Sequence, residues 1–166
     1  MKKDVIVRPA RYADLPRLIE IFNQSVLAHS TAILEPVTVE ERRSWFEDHN
    51  SERYPILVAE KDSKILGYLY ISPYRPRRAA LIHTAEVSYF VDFDHHHQGV
   101  ASQLMEACLK KCPGLGIKSL FAILLETNQP SINLLKKYGF QQWAYLPGVA
   151  EIGGTEVSQV YFGRKV

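Results

Sequence analysis

Cysteine, long apolar runs and an excess of either charge are all scarce in this chain, and each scarcity removes a class of protein. Only two cysteines stand among 166 residues. Cys108 and Cys112 are one helical turn apart, a spacing that fits neither a Cys-x-x-Cys metal knuckle nor a disulfide framework, so reduced structural thiols are expected. No apolar run approaches the ~20 residues that cross a bilayer. The opening MKKDVIVRPARYADL lacks the apolar stretch of a signal peptide. A soluble, cytoplasmic protein with no membrane partner is therefore the expectation. The 20 Lys and Arg against 18 Asp and Glu leave a formal net charge of +2. These charges are scattered, so nucleic acid is not an expected partner. Repeats and low-complexity linkers are missing too, and the length suits one domain over residues 1–166.

What is present is a clear sequence of strand and helix signals. Residues 5–8 read as a strand, and Asp14 as the N-cap of a helix with Leu15, Leu18, Ile19, Phe22 and Val26 on one face. Thr38 and Glu41 form a T-x-x-E capping box for a second helix carrying Trp45 and Phe46. Residues 56–59 and 65–72 read as a hairpin, and residues 80–91 as a long central strand. A helix over 99–111 buries Val100, Leu104, Met105 and Cys108, and Pro113-Gly114 stops it. A strand over 119–125, a helix capped by Asn128 and ended by Gly139, and strands near 141–146 and 157–163 complete the chain. The order β-α-α-β-β-β-α-β-α-β-β predicts a mixed α/β (α+β) sheet with helices on both faces. It excludes a doubly wound dinucleotide fold, because the first half lacks βαβ alternation and no G-x-G-x-x-G is present.

The richest stretch is FVDFDHHHQGVASQLMEACLKKC, from Phe90 to Cys112. A strand runs into the turn His96-His97-Gln98-Gly99-Val100-Ala101, which opens directly into a helix. The unpaired N–H groups of a helix's first turn, with its dipole, favour an anion there. Gly99 permits positive φ or close approach, and Ala101 keeps bulk away from a bound phosphate. An ordinary strand-to-helix turn is the alternative. The three adjacent histidines do not aim at a common ion, and no metal is expected.

Three segments together resemble one family. The turn at 96–101 is similar to the Q/R-x-x-G-x-G/A pyrophosphate loop of the GNAT N-acetyltransferase superfamily, with His96 where Gln or Arg is usual. Thr84-Ala85-Glu86-Val87-Ser88-Tyr89-Phe90-Val91 resembles the T-A-E-x-x-x-Y-V strand of its phosphinothricin N-acetyltransferase group. Asn128-Gln129-Pro130-Ser131, then Leu134 and Gly139-Phe140, resembles the N-x-x-[SA]-x-x-L…G-F signature. The resemblance spans essentially the whole chain and adds Arg8-Pro9-Ala10 and the segment 146–150.

That resemblance implies acetyl-CoA as acetyl donor, in a cleft where two parallel strands splay, those ending at Val91 and Leu125. Backbone groups of Phe90 and Val91 would pair with the pantetheine. His96, His97, Gln98, Gly99, Val100 and Ala101 would hold the diphosphate, with Asn128 and Ser131 beside the cofactor. It implies Glu86 as general base, the alternative being a strand carboxylate paired with Arg77 or Arg78. The family position for a thiolate-protonating Tyr or His is Leu135 here. Tyr138, three residues on, either substitutes or simply packs before Gly139. Phe22, Tyr74, Arg75 and Arg77, with the turn 31–35, are implied walls of the amine site; a solvated basic loop is the alternative for the arginines. Transfer to the primary amine of an amino acid or analogue, directly within a ternary complex and without a role for Cys108 or Cys112, is the expected activity. A non-catalytic acyl-CoA-binding module and a protein N-acetyltransferase are the competing readings. A homodimer is expected from the resemblance alone.

Overall fold

The computed structural model describes residues 4–49 and 52–166. Its elements in chain order are β1 (Ile6–Pro9), α1 (Leu15–Leu27), α2 (Arg43–His49), β2 (Ile56–Lys61), β3 (Lys64–Pro73), β4 (Thr84–Val91), α3 (Val100–Lys111), β5 (Ser119–Leu125), α4 (Gln129–Lys137), β6 (Gln141–Ile152) and β7 (Thr155–Lys165). They form a seven-stranded sheet in the order β1-β2-β3-β4-β5-β7-β6. Only the β4–β5 pair is parallel; the other five pairings are antiparallel. The mixed, mostly antiparallel architecture with a parallel pair is as expected.

The sheet separates two apolar layers because strand side chains alternate between its faces. On one side α1 and α2 bury Leu15, Leu18, Ile21, Phe22 and Phe46 against Ile56, Val58 and Tyr68. On the other, α3 and α4 bury Leu104, Met105, Cys108, Ile132 and Leu135 against Leu57, Leu69, Val87 and Leu120. Gly67 lets α3 come close. A Cβ there would lie 2.8 Å from the Phe90 carbonyl oxygen and 3.1 Å from the Val100 side chain, so the sheet accepts the start of α3 only without a side chain at that point.

Four expectations are corrected. The 80–91 strand begins only at Thr84, because residues 79–81 turn in a 3-10 helix closed by Leu81 N–H donating to the Arg78 carbonyl (2.9 Å). The Thr38–Glu41 capping box forms, with Glu41 N–H donating to Thr38 Oγ1 at 3.2 Å, yet regular helix starts at Arg43 after turns over 39–42. Asp14 sits at the N-cap of α1 without capping it. Its carboxylate accepts instead from Arg8 Nη1 (2.7 Å) and Arg11 N–H (2.7 Å). The final hairpin is longer than its apolar pattern, since register shifts near Ala144 and Ala150 interrupt the alternation that marks a strand.

Candidate active site

The parallel ladder stops early. It joins Thr84 to Ser119, Ala85 to Leu120 and Glu86 to Phe121, although β4 runs on to Val91 and β5 to Leu125. Each strand stays paired on its other side, β4 with β3 up to Gly67–Val91 and β5 with β7 up to Leu125–Gln159. Beyond Glu86 the facing edges therefore have no strand partner, and the sheet opens into a gap.

Two cavities meet there. The first, of about 590 Å³, runs from β4 along the start of α3 to the start of α4. The second, of about 410 Å³, lies under α1, the 30–33 turn and Arg42. Ser30, Tyr89, Phe90, Asn128 and Ser131 line both.

The first cavity is built chiefly from backbone. Gly99 takes the N-cap of α3 at φ 80°, in the left-handed region, and no side chain caps this helix end. The N–H groups of the first turn thus stay unspent and face a cavity lined by Gly99, Val100, Ala101 and Ser102. A Cβ at Gly99 would have nothing within 4 Å, so glycine is needed there for conformation rather than space. The loop before it is pinned from α1. Arg17 forms an ion pair with buried Asp92, whose Oδ1 accepts from Asp94 N–H at 3.0 Å, and Gln24 Oε1 accepts from Phe93 N–H at 3.0 Å. Asn128 Oδ1 caps α4 by accepting from Ser131 N–H at 3.3 Å.

The second cavity is built from side chains. Glu86, Ser88 and Phe90 project into it from one face of β4, facing Phe22 and Tyr70. The Glu86 carboxylate has no hydrogen-bond or ion-pair partner among the described residues. Burial pushes its pKa above the usual carboxylate value, because desolvation disfavours the charged form. Tyr89, at the junction, donates to the Ser131 carbonyl at 3.4 Å, and burial pushes its phenol up to about 12.

Most of the cofactor residues implied by the sequence come together here. Phe90, Val91, His96, His97, Gly99, Val100, Ala101, Asn128 and Ser131 all line the first cavity. Gln98 does not; its side-chain amide donates to the Asp94 carbonyl at 3.1 Å. The Val91 carbonyl is not free either, since His96 Nε2–H donates to it at 3.0 Å.

Glu86 and Phe22 line the second cavity with Thr31, Ala32 and Ile33, whereas Leu34 and Glu35 of the same turn are exposed outside it. Tyr74, Arg75 and Arg77 line neither cavity. Tyr74 packs edge-on against Phe121 at 4.7 Å, and both arginines are exposed, with positive φ at each position. Tyr138 is also outside, its hydroxyl held by Glu106 Oε1 (2.7 Å) and the Ser102 carbonyl (3.3 Å). Leu135 is fully buried in the core. Neither cysteine reaches a cavity; both are buried under the sheet.

Tyr89, Tyr70 and Arg42 escaped the sequence reading. Tyr89 was legible in principle, as the alternation partner of Val87 and Val91 at the end of a splayed strand. Arg42 carried no signal beyond its place after a capping box.

The Acetyltransferase (GNAT) family model matches residues 16–140, and the chain belongs to this family. YwnH of Bacillus subtilis, whose name assigns it provisionally to phosphinothricin acetylation, is 35% identical over 96% of this chain and 98% of its own. The L-methionine sulfoximine/L-methionine sulfone acetyltransferase of Pseudomonas aeruginosa is 32% identical, over 87% of this chain and 85% of that protein. Among solved structures, YncA of Salmonella typhimurium, determined with its cofactor acetyl-CoA, superposes with a TM-score of 0.90 at 26% identity. That match covers 98% of this chain and 94% of that one.

Proposed function

We propose that this protein is an acetyl-CoA-dependent N-acetyltransferase of the phosphinothricin and methionine sulfoximine type, acting on the primary amine of a small amino acid or analogue. The observation that carries this is the meeting of two unlike cavities in the gap between β4 and β5: one walled by an uncapped helix N-terminus, the other by an unpartnered, buried carboxylate. The residues present fit acetyl-CoA. Val100, Ala101 and Ser102 offer N–H groups to the diphosphate, and the open edges of β4 and β5 offer backbone groups to the pantetheine amides. When bound, acetyl-CoA supplies an activated acetyl group as a thioester.

Glu86 takes the proton of the acceptor. An alkylammonium with a pKa near ~10.4 must surrender about 3.4 units at pH 7, or about 4.6 kcal/mol. A carboxylate with a raised pKa accepts that proton more readily than an ordinary one. Attack by the neutral amine nitrogen on the acetyl carbon would break the carbon–sulfur bond with its electron pair going to sulfur, and the second proton that the nitrogen loses as the amide forms would pass to that sulfur. No side chain needs to protonate it. Burial pushes the Tyr89 phenol up to about 12, so it is a weaker acid than an ordinary tyrosine, and its hydroxyl already donates to the Ser131 carbonyl. Leu135, at the position of the family's acid, offers no proton at all.

The reading extends to one acetyltransferase domain over residues 1–166, supported by the sheet that ties Ile6 to Lys165 in one ladder, and to a homodimer, for which exposed Trp143, Tyr145 and Val149 on edge strand β6 supply apolar surface. Among the described residues no helix is long and apolar enough to cross a membrane. The test is release of free thiol from acetyl-CoA across a panel of L-amino acids and amines, with calorimetry for acetyl-CoA itself. Tight binding without turnover on any amine would favour a sensing module and sink the catalytic reading.

A further inference from the structure

We propose that Arg42 is the carboxylate anchor of the acceptor cavity, so that the acceptor carries a carboxylate a few bonds from its reacting amine. This rests on the acetyltransferase reading above. Among the described residues, Arg42 and Glu86 are the two charged side chains lining the cavity. They form no ion pair with each other, and the Arg42 guanidinium donates no hydrogen bond to any described residue. Its neighbour Arg43, by contrast, is spent on Glu40 at 2.7 Å. The guanidinium carbon lies 5.0 Å from the centroid of the Phe22 ring. A cation–π contact of this kind restrains the group over the ring, and none of its N–H groups is taken by a described residue.

One free cation and one free carboxylate in the same small cavity complement a molecule with the opposite pair, an amine near Glu86 and a carboxylate near Arg42. A charge-assisted, bidentate contact is the one a guanidinium makes best. The same geometry repels a polyamine, whose second ammonium would meet Arg42. The assignment displaces Arg75 and Arg77, which are exposed outside the cavity.

The test compares L-methionine sulfone with the matching amine that lacks the carboxylate, using the full chain and the variants Arg42→Gln and Arg42→Lys. The wild type prefers the carboxylated acceptor. Arg42→Gln loses about 100-fold in kcat/KM on it, carried by KM, as expected for one charge-assisted pair. Its loss on the carboxylate-free amine is at least about tenfold smaller. Arg42→Lys keeps the charge without the fork and recovers part of the preference; it decides the question if Arg42→Gln fails to fold, which thermal unfolding reveals. Equal losses on both amines, or an unchanged preference, would overturn the assignment. So would a wild type that favours the carboxylate-free amine, an outcome that leaves acetyl transfer standing. No turnover on either amine despite acetyl-CoA binding would overturn both readings.

Discussion

The two cavities that meet at Tyr89 are made in opposite ways. The one along α3 relies on main-chain groups: an uncapped helix end, a left-handed Gly99 and two strand edges left without partners. The one under α1 relies on side chains drawn from separate elements, with Glu86 from β4, Phe22 from α1, Tyr70 from β3 and Arg42 from the turn before α2. Backbone donors are indifferent to side-chain identity, so the first cavity suits a constant chemical feature. Side chains can be exchanged one at a time, so the second suits a feature that varies between enzymes. A cofactor common to many enzymes and an acceptor particular to one divide naturally along that line.

Substitutions can break this division or sharpen it. The largest effect is expected for Glu86→Gln, which removes the base while keeping the shape. Turnover should fall by about 10²–10⁴-fold, the usual range for general-base catalysis, with acetyl-CoA affinity unchanged by calorimetry. Stability should move the other way. Burial makes Glu86 harder to ionise in the folded chain than in the unfolded one. Its contribution to folding is therefore present below the unfolded pKa and is lost as pH rises through the raised folded value. At neutral pH the amide removes that burden, so the melting temperature should rise. In the wild type, kcat/KM should drop as pH falls through the raised Glu86 value; a flat profile down to the ordinary carboxylate range would remove Glu86 from the chemistry.

Next in size is Leu135→His, which restores the residue type of the phosphinothricin group. Leu135 is fully buried among Ile132, Phe140 and the sheet. The change should cost about 2–5 kcal/mol in chemical denaturation, as for loss of a buried leucine, with a polar ring adding to it. Turnover should not increase. A faster enzyme would show that the helix can turn this position toward the cleft.

Gly99→Val probes the backbone-built cavity alone. The left-handed φ should cost about 1–2 kcal/mol. If helix geometry yields instead of stability, KM for acetyl-CoA should rise about tenfold while KM for the amine stays put. A change in amine preference would break the separation between the cavities.

The smallest effect belongs to Tyr138→Phe. It deletes hydrogen bonds to Glu106 and the Ser102 carbonyl, worth about 1 kcal/mol of stability. The pH–rate profile should be unchanged. Loss of turnover without loss of stability would return Tyr138 to the mechanism.

The contrast between the cavities also explains what could be read from the residues in order. The turn from His96 to Ala101 and the cap at Asn128 are local. Strand, turn and helix N-terminus are contiguous in the chain, and their chemistry comes from backbone geometry that short motifs specify. Gln98 was included wrongly because its neighbours fix which turn residues face inward, and that is not a property of the motif. Arg75 and Arg77 misled for a similar reason. Three arginines within four residues suggest an anion site, but Arg75 and Arg77 are exposed and line neither cavity. Leu135 was legible as a departure from the family pattern, whereas the distance of Tyr138 from the gap was not.

By itself, then, the order of amino acids determined the succession of strands and helices, the uncapped helix start after Gly99 and the carboxylate of Glu86, since each depends on periodicity or on neighbours in the chain. Only the tertiary structure decided where the parallel pair parts, which arginine lines the second cavity and which tyrosine stands at the junction. Those outcomes depend on contacts between segments far apart in the chain, such as Arg42 over Phe22 or Tyr89 against Ser131, and no local pattern encodes them.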